Sequence, residues 1–305
     1  MASLSHNLEY AAALTGVKLA RIFTPRAADR LGVGLGSLAH AVLSSRRKIA
    51  LYNLERALGA ELSIDVRRRV AKEVFHNIGR SMIEFSRFGK TTLDDVRKLI
   101  TGPGEEILAR VHAEGKGGMV VTAHFGNWEL LGVWVAACGY PMDFLIGTQH
   151  NEKVDRLLVG FRESMGVGII RLSTSSRQVF KALKANHMTG LVSDQHSASG
   201  GVVLDFMGRP ASTPKGPALF SIRTGAPLLP FLLRRERYDR HILIPGEPIY
   251  PPNSGDEEVD IAQMTKRYTR FFEQNIRKYP DQWMWTHRRW KVPENWFKEN
   301  PTAAG

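Results

Sequence analysis

The chain has 305 residues, 43% of them hydrophobic, a net charge of +12 and one cysteine, Cys138. It is long enough for one large core or two modest ones, and too apolar to be disordered. A lone cysteine excludes an internal disulfide framework and a cysteine-based zinc site, and it suits a reducing compartment. The charge is uneven: residues 1–100 hold 17 Lys+Arg against 9 Asp+Glu, a net +8. That field asks for an anionic partner, whether a membrane surface, a nucleic acid or an acidic carrier protein.

In chain order, residues 4–23 and 27–44 read as two helices split at Pro25. No signal peptide with an apolar core and a small-residue cleavage site precedes them. Neither helix reads as a membrane span. The longest early charge-free run, 31–45, is fifteen residues with three glycines, whereas a span needs about 20 mostly apolar residues. The pattern is basic and amphipathic, and it fits a pair lying on a membrane or a pair packed on the protein's own body. A basic step, Arg46-Arg47-Lys48, opens a helix through Leu58, ended by Gly59. Val66, Val70, Val74, Ile78 and Met82 recur every four residues and predict the next helix.

From about residue 100, strands and helices alternate. Strands are predicted at 119–123, 144–147, 168–171, 189–193 and 202–206, and helices at 127–138, 154–165, 177–185 and 217–224. Segments 228–234 and 241–249 read as a strand pair, and 261–279 as a long closing helix. This predicts an α/β fold: a mixed, mainly parallel sheet flanked by helices, with a helical N-terminal layer. The expected division is 1–45, amphipathic helices that associate with a membrane, and 46–305, the main domain. In such sheets function gathers beyond the carboxyl ends of the strands. His124, Arg171 and Asp194 stand at three such ends.

His124 can accept a proton near neutral pH, and a carboxylate on its far ring nitrogen would fix its tautomer. Glu129 is the sequence candidate. Residues five apart on a helix point about 140° away from each other, so the pair can meet only if His124 precedes the helix and Glu129 lies in its first or second turn. Gly126 permits that turn and Asn127 suits the N-cap. No H-E-x-x-H or third ligand suggests zinc there. Trp283, Trp285, Trp290 and Trp296 among His287, Arg288, Arg289 and Lys291 fit a membrane interface, a nucleic-acid stacking surface or simple core packing. A rival to an enzyme is therefore a non-catalytic basic protein that binds membrane or nucleic acid.

"HFGNWE" (124–129) resembles the signature of the bacterial lipid A late (secondary) acyltransferases, within the lysophospholipid acyltransferase superfamily. "KIALYNLERAL" (48–58), "FHNIGRSMIEF" (75–85), the block from 192 to 230 and "PDQWMWTHRRWK" (280–291) are similar to further segments of that family, in the same order. The H-x4-D and F-P-E-G-T-R motifs of the glycerol-phosphate branch are absent. The resemblance covers about residues 46–291. It implies transfer of an acyl chain from an acyl-carrier protein or coenzyme A thioester to a hydroxyl of a lipid A precursor-like membrane lipid. His124 would be the general base and Glu129 its orienting partner, with Arg171, Asp194, Asn127 and Gln195 binding substrate, and Asp194 pairing with or orienting Arg171. No metal, organic cofactor or nucleic acid is implied. The expected setting is peripheral, on an anionic membrane surface at the cytoplasmic face of a bacterial inner membrane. Two departures stand out. Thr148 or Gln149 occupies a place where the family often has arginine, and the usual membrane-spanning first helix is not found.

Overall fold

The computed structural model describes residues 4–172 and 175–299. Four helices come first: α1 (Leu4–Ile22), α2 (Pro25–Val42), α3 (Ser44–Leu58) and α4 (Ile64–Ser86). Thr24 caps α2 ahead of Pro25, and Ser63 caps α4. Gly32 and Gly36 on α2 meet Gly79 on α4 so closely that a Cβ on Gly79 would lie 2.2 Å from the Gly32 carbonyl. Glycine is therefore what lets the two backbones touch. The four-residue apolar row on α4 does not stay buried: Val74 is in the core, but Met82 is 66% exposed. Such a row turns about 40° per step around the helix, so its last member leaves the packed face. Ser81 and Phe85 take the inward positions instead.

The alternating part follows as α5 (Leu93–Leu99), β1 (Ile100–Thr101), α6 (Glu105–Ala113), β2 (Gly118–Thr122), α7 (Trp128–Ala137), β3 (Met142–Ile146), α8 (Glu152–Glu163), β4 (Val167–Arg171), α9 (Ser175–Lys184) and β5 (Met188–Val192). A hairpin of β6 (Val202–Phe206) and β7 (Arg209–Thr213) stands apart from the main sheet. Then come α10 (Gly216–Thr224), β8 (Leu228–Arg237), β9 (Arg240–Pro245), α11 (Glu257–Lys278), a 3-10 turn (Pro280–Gln282) and α12 (Trp296–Glu299). The main sheet runs β1-β9-β8-β2-β5-β3-β4, parallel throughout except for the antiparallel β8–β9 pair. It is the α/β fold with a helical N-terminal layer that the alternation implies.

The sheet separates two apolar cores. Met119 and Val121 of β2 face the side covered by α9, α10 and α11, where Ile261, Met264 and Phe272 are buried. Val120 faces the other side, with Leu108, Leu131 and Phe161. Burial on both faces explains why β2 reads as a continuous apolar run rather than an alternating one. Trp283 and Trp285 are buried in the first core, so they offer no stacking surface for a nucleic acid. The segment that carries them is gripped by the N-terminal helices. Asn53 Nδ2 donates to the carbonyls of Trp285 and His287 (2.8 and 2.7 Å), and Asn77 Nδ2 to that of Asp281 (2.9 Å). No described helix is long and apolar enough to cross a membrane.

Candidate active site

Strands β2 and β5 are neighbours, with Thr122 opposite Val192. Two residues beyond those ends, His124 and Asp194 therefore lie side by side. The Asp194 carboxylate accepts from the His124 Nδ1 at 2.7 Å, from the His124 backbone N–H at 3.0 Å and from the Trp283 indole N–H at 2.6 Å. Burial alone would push the Asp194 carboxyl upward. The His124 charge and these three donors outweigh it and hold the group below the usual carboxylate range. With Nδ1–H given to Asp194, the other ring nitrogen, Nε2, is left as the proton acceptor.

The turn after His124 is held from three sides. Gly126 has φ +54°, and a Cβ there would lie 1.8 Å from the Leu233 carbonyl oxygen, so the chain can pass β8 only as glycine. Its N–H donates to the Gln282 carbonyl (2.9 Å), and the His124 carbonyl accepts from Met284 N–H (2.9 Å). Asn127 caps α7, its Oδ1 accepting from Leu130 N–H at 3.0 Å, while its Nδ2 donates to Glu84. It is fully buried, with both ends of its amide engaged in holding the turn.

Behind the turn lies a polar network with no counterpart in the sequence expectations. The buried Arg235 donates to Glu84 (2.9–3.1 Å) and to Ser81 Oγ (2.8 Å), and Ser81 in turn donates to the Gly126 carbonyl (2.9 Å). His241, buried beside Arg235, is pushed down to about 3, first by burial and then by that cation, and so stays neutral.

His124 stands at one wall of a cavity of about 600 Å³. Val120, Leu131, Met142, Phe144, Leu158 and Leu191 give it a largely apolar lining. Gln195 lines it too. Glu129 is also on the wall, but the histidine–carboxylate pair that forms is a different one from the pair expected. The Arg162 guanidinium forks onto Glu129, Nε to Oε2 at 2.9 Å and Nη2 to Oε1 at 2.6 Å, while Asp194 holds the His124 ring. Asp194 is likewise not the partner of Arg171. That arginine binds Asp155, with Nη1 to Oδ1 at 3.0 Å, and its hydrogen bond lowers the Asp155 carboxyl. Gln149 N–H adds a bond to Asp155 (2.9 Å), and both residues line the cavity.

Arg162 and Asp155 of the cavity wall escaped the sequence reading. Arg162 lay unremarked inside a predicted helix. His287, at about 4, is kept neutral mainly by burial and accepts from the His196 N–H (3.3 Å), which steadies the loop carrying Gln195.

The family model for bacterial lipid A biosynthesis acyltransferases covers residues 3–292, and the chain belongs to that family. It is similar to the lipid A biosynthesis palmitoleoyltransferase of Escherichia coli, 27% identical over 267 residues, covering 86% of this chain and 84% of that protein. The Escherichia coli lauroyltransferase is 28% identical over 266 residues, or 86% and 85% of the two chains. A phosphatidylinositol mannoside acyltransferase of Mycobacterium tuberculosis is 28% identical over 189 residues, and there the match spans only 58% of this chain and 56% of that protein.

Proposed function

We propose that the protein transfers a fatty acyl chain from an acyl thioester, carried on acyl-carrier protein or coenzyme A, to a hydroxyl of a lipid A precursor or related membrane glycolipid. The reading rests above all on the His124–Asp194 pair at the wall of the apolar cavity. The acyl chain lies along Val120, Phe144 and Leu191. His124 Nε2 takes the proton of the acceptor hydroxyl as its oxygen attacks the thioester carbonyl. The carbon–sulfur bond then breaks, and the imidazolium returns its proton to the departing thiolate. Asp194 keeps the ring in the correct tautomer and stabilises its positive form. Glu129 acts through Arg162, whose guanidinium faces the same cavity. Arg171, at the rim with Asp155, supplies a cation for a phosphate of the acceptor or of the donor's carrier arm. The expected working place is the cytoplasmic face of the inner membrane, with the protein bound peripherally.

The test is acyl transfer from labelled acyl-carrier protein or acyl-coenzyme A to extracted membrane glycolipids. His124→Ala is expected to lose roughly 10²–10⁴-fold in turnover with its circular dichroism unchanged. Near wild-type turnover by that variant would overturn the mechanism.

A further inference from the structure

On α1, His6 and Glu9 stand three residues apart and share a face. That face meets the loop between β3 and α8, which carries His150. One donor atom from each of His6, Glu9 and His150 lies within 4.8 Å of the other two. Glu9 Oε2 is 3.4 Å from His150 Nε2. Two ligands each about 2.1 Å from a tetrahedral ion are separated by about 3.4 Å, so this edge already has the length a metal site needs. The His6 and His150 rings meet edge-on, 5.6 Å apart at 73°, which lets nitrogens of both converge without stacking.

The scaffold behind these donors is fixed. Asn151 is buried; its Oδ1 caps α8, and its Nδ2 donates both to Glu9 Oε2 (2.8 Å) and to the His6 carbonyl (2.9 Å). A hydrogen bond from an outer amide onto a ligating carboxylate is the usual way such ligands are oriented. The site is also open: His150 is 76% exposed, so an ion can reach it.

We infer that His6, Glu9 and His150 bind a divalent transition-metal ion and thereby fasten α1 to the rim of the cavity. Two imidazoles and a carboxylate suit zinc, cobalt, nickel or copper and are poor for magnesium or calcium. A fourth position stays open to water or to an anionic oxygen. The consequence lies next door: Gly147 and Gln149 of the same loop line the cavity, and Gln149 N–H holds the Asp155 that pairs with Arg171. Without metal, polar contacts join this end of α1 to the loop and to α8: the Asn151 bonds, the His150–Glu9 pair, and Lys153 Nζ to Asn7 at 2.8 Å. Bound metal makes that junction rigid.

The experiment uses tag-free full-length protein stripped by chelator and titrated calorimetrically with zinc chloride, with magnesium chloride in parallel. One zinc per chain is expected, with no magnesium uptake. Cobalt(II) should give the visible absorption of a low-coordinate site, and hydrogen exchange at residues 6–10 should slow when zinc is added. Glu9→Gln and His150→Ala are each expected to weaken zinc binding at least tenfold while circular dichroism is unchanged. The inference is overturned if the wild type takes up no zinc, or if a His6→Ala/His150→Ala double variant binds it as tightly. Unchanged exchange at residues 6–10 in the zinc-loaded protein would likewise remove the clamp.

Discussion

Asp194 keeps its charge where burial opposes it, because His124 and Trp283 converge on its two oxygens. Asp194→Asn puts an amide there that cannot serve all three donors or stabilise an imidazolium, so turnover should fall roughly 10²–10⁴-fold. Glu129→Gln, which leaves that pair intact, should lose less activity. It should instead cost about 1–3 kcal/mol of stability, because the mostly buried Arg162 loses its forked partner. Parallel kinetics and urea melts of the two variants check this; a larger turnover loss for Glu129→Gln would restore Glu129 as the partner of His124. A depressed carboxyl adds stability that is present above its unfolded pKa, about 3.9, and is lost as pH falls through the folded value. The wild type should therefore lose more stability than Asp194→Asn when urea melts are carried down through pH 4. The histidine, the glutamate and the aspartate were all legible in the sequence, but their pairing was not. Chain spacing brings Glu129 near His124, whereas sheet adjacency brings Asp194 seventy residues across to it, and a single sequence does not reveal which strands are neighbours.

Phe144 on β3 forms part of the cavity wall. It closes against Gly132 on α7 and Gly190 on β5, where an added Cβ would lie 1.9 and 2.9 Å from its ring. Phe144→Ala removes this wall. Under the proposed function the preferred acyl chain should lengthen by two carbons or more, and each newly buried CH₂ is worth about 0.8 kcal/mol. Competition between a shorter and a longer acyl donor reads this directly, and an unchanged preference would show that the chain lies elsewhere. The variant should also lose about 3 kcal/mol of stability. Most elements were readable to within two or three residues because their apolar pattern is long. The exceptions have physical causes. Helices α5 and α6 are only 7 and 9 residues, too short for periodicity to stand out. Strand β7 begins Arg209-Pro210, and proline argues against a strand unless the pairing is confined to a hairpin edge, as it is here.

At the scale of the whole molecule, the basic excess and the exposed apolar residues share one region. Leu19, Ile22 and Phe23 at the end of α1 and Leu35, Leu38 and Val42 on α2 are exposed, with Arg26 and Arg30 exposed on α2 and Arg46 and Lys48 at the start of α3. On α2, Gly32 and Gly36 are buried against α4 while these residues stay exposed. We expect reversible binding to anionic vesicles at low salt, released at high salt, with each basic residue near the surface worth roughly 1 kcal/mol. A Leu35→Glu/Leu38→Glu/Val42→Glu variant should bind at least tenfold more weakly in co-sedimentation. Absence of wild-type binding at low salt would remove the peripheral reading. The grip of α3 and α4 on residues 281–287 has a further consequence, one of timing during synthesis. Helices α3 and α4, which hold the surroundings of His124, leave the ribosome well before the backbone that pins its carbonyl and the indole that steadies Asp194. Under the proposed function, a nascent chain would therefore carry these helices long before it could carry chemistry. Under that function the site would be complete only when residues 281–287 thread back between α3, α4 and the end of β2.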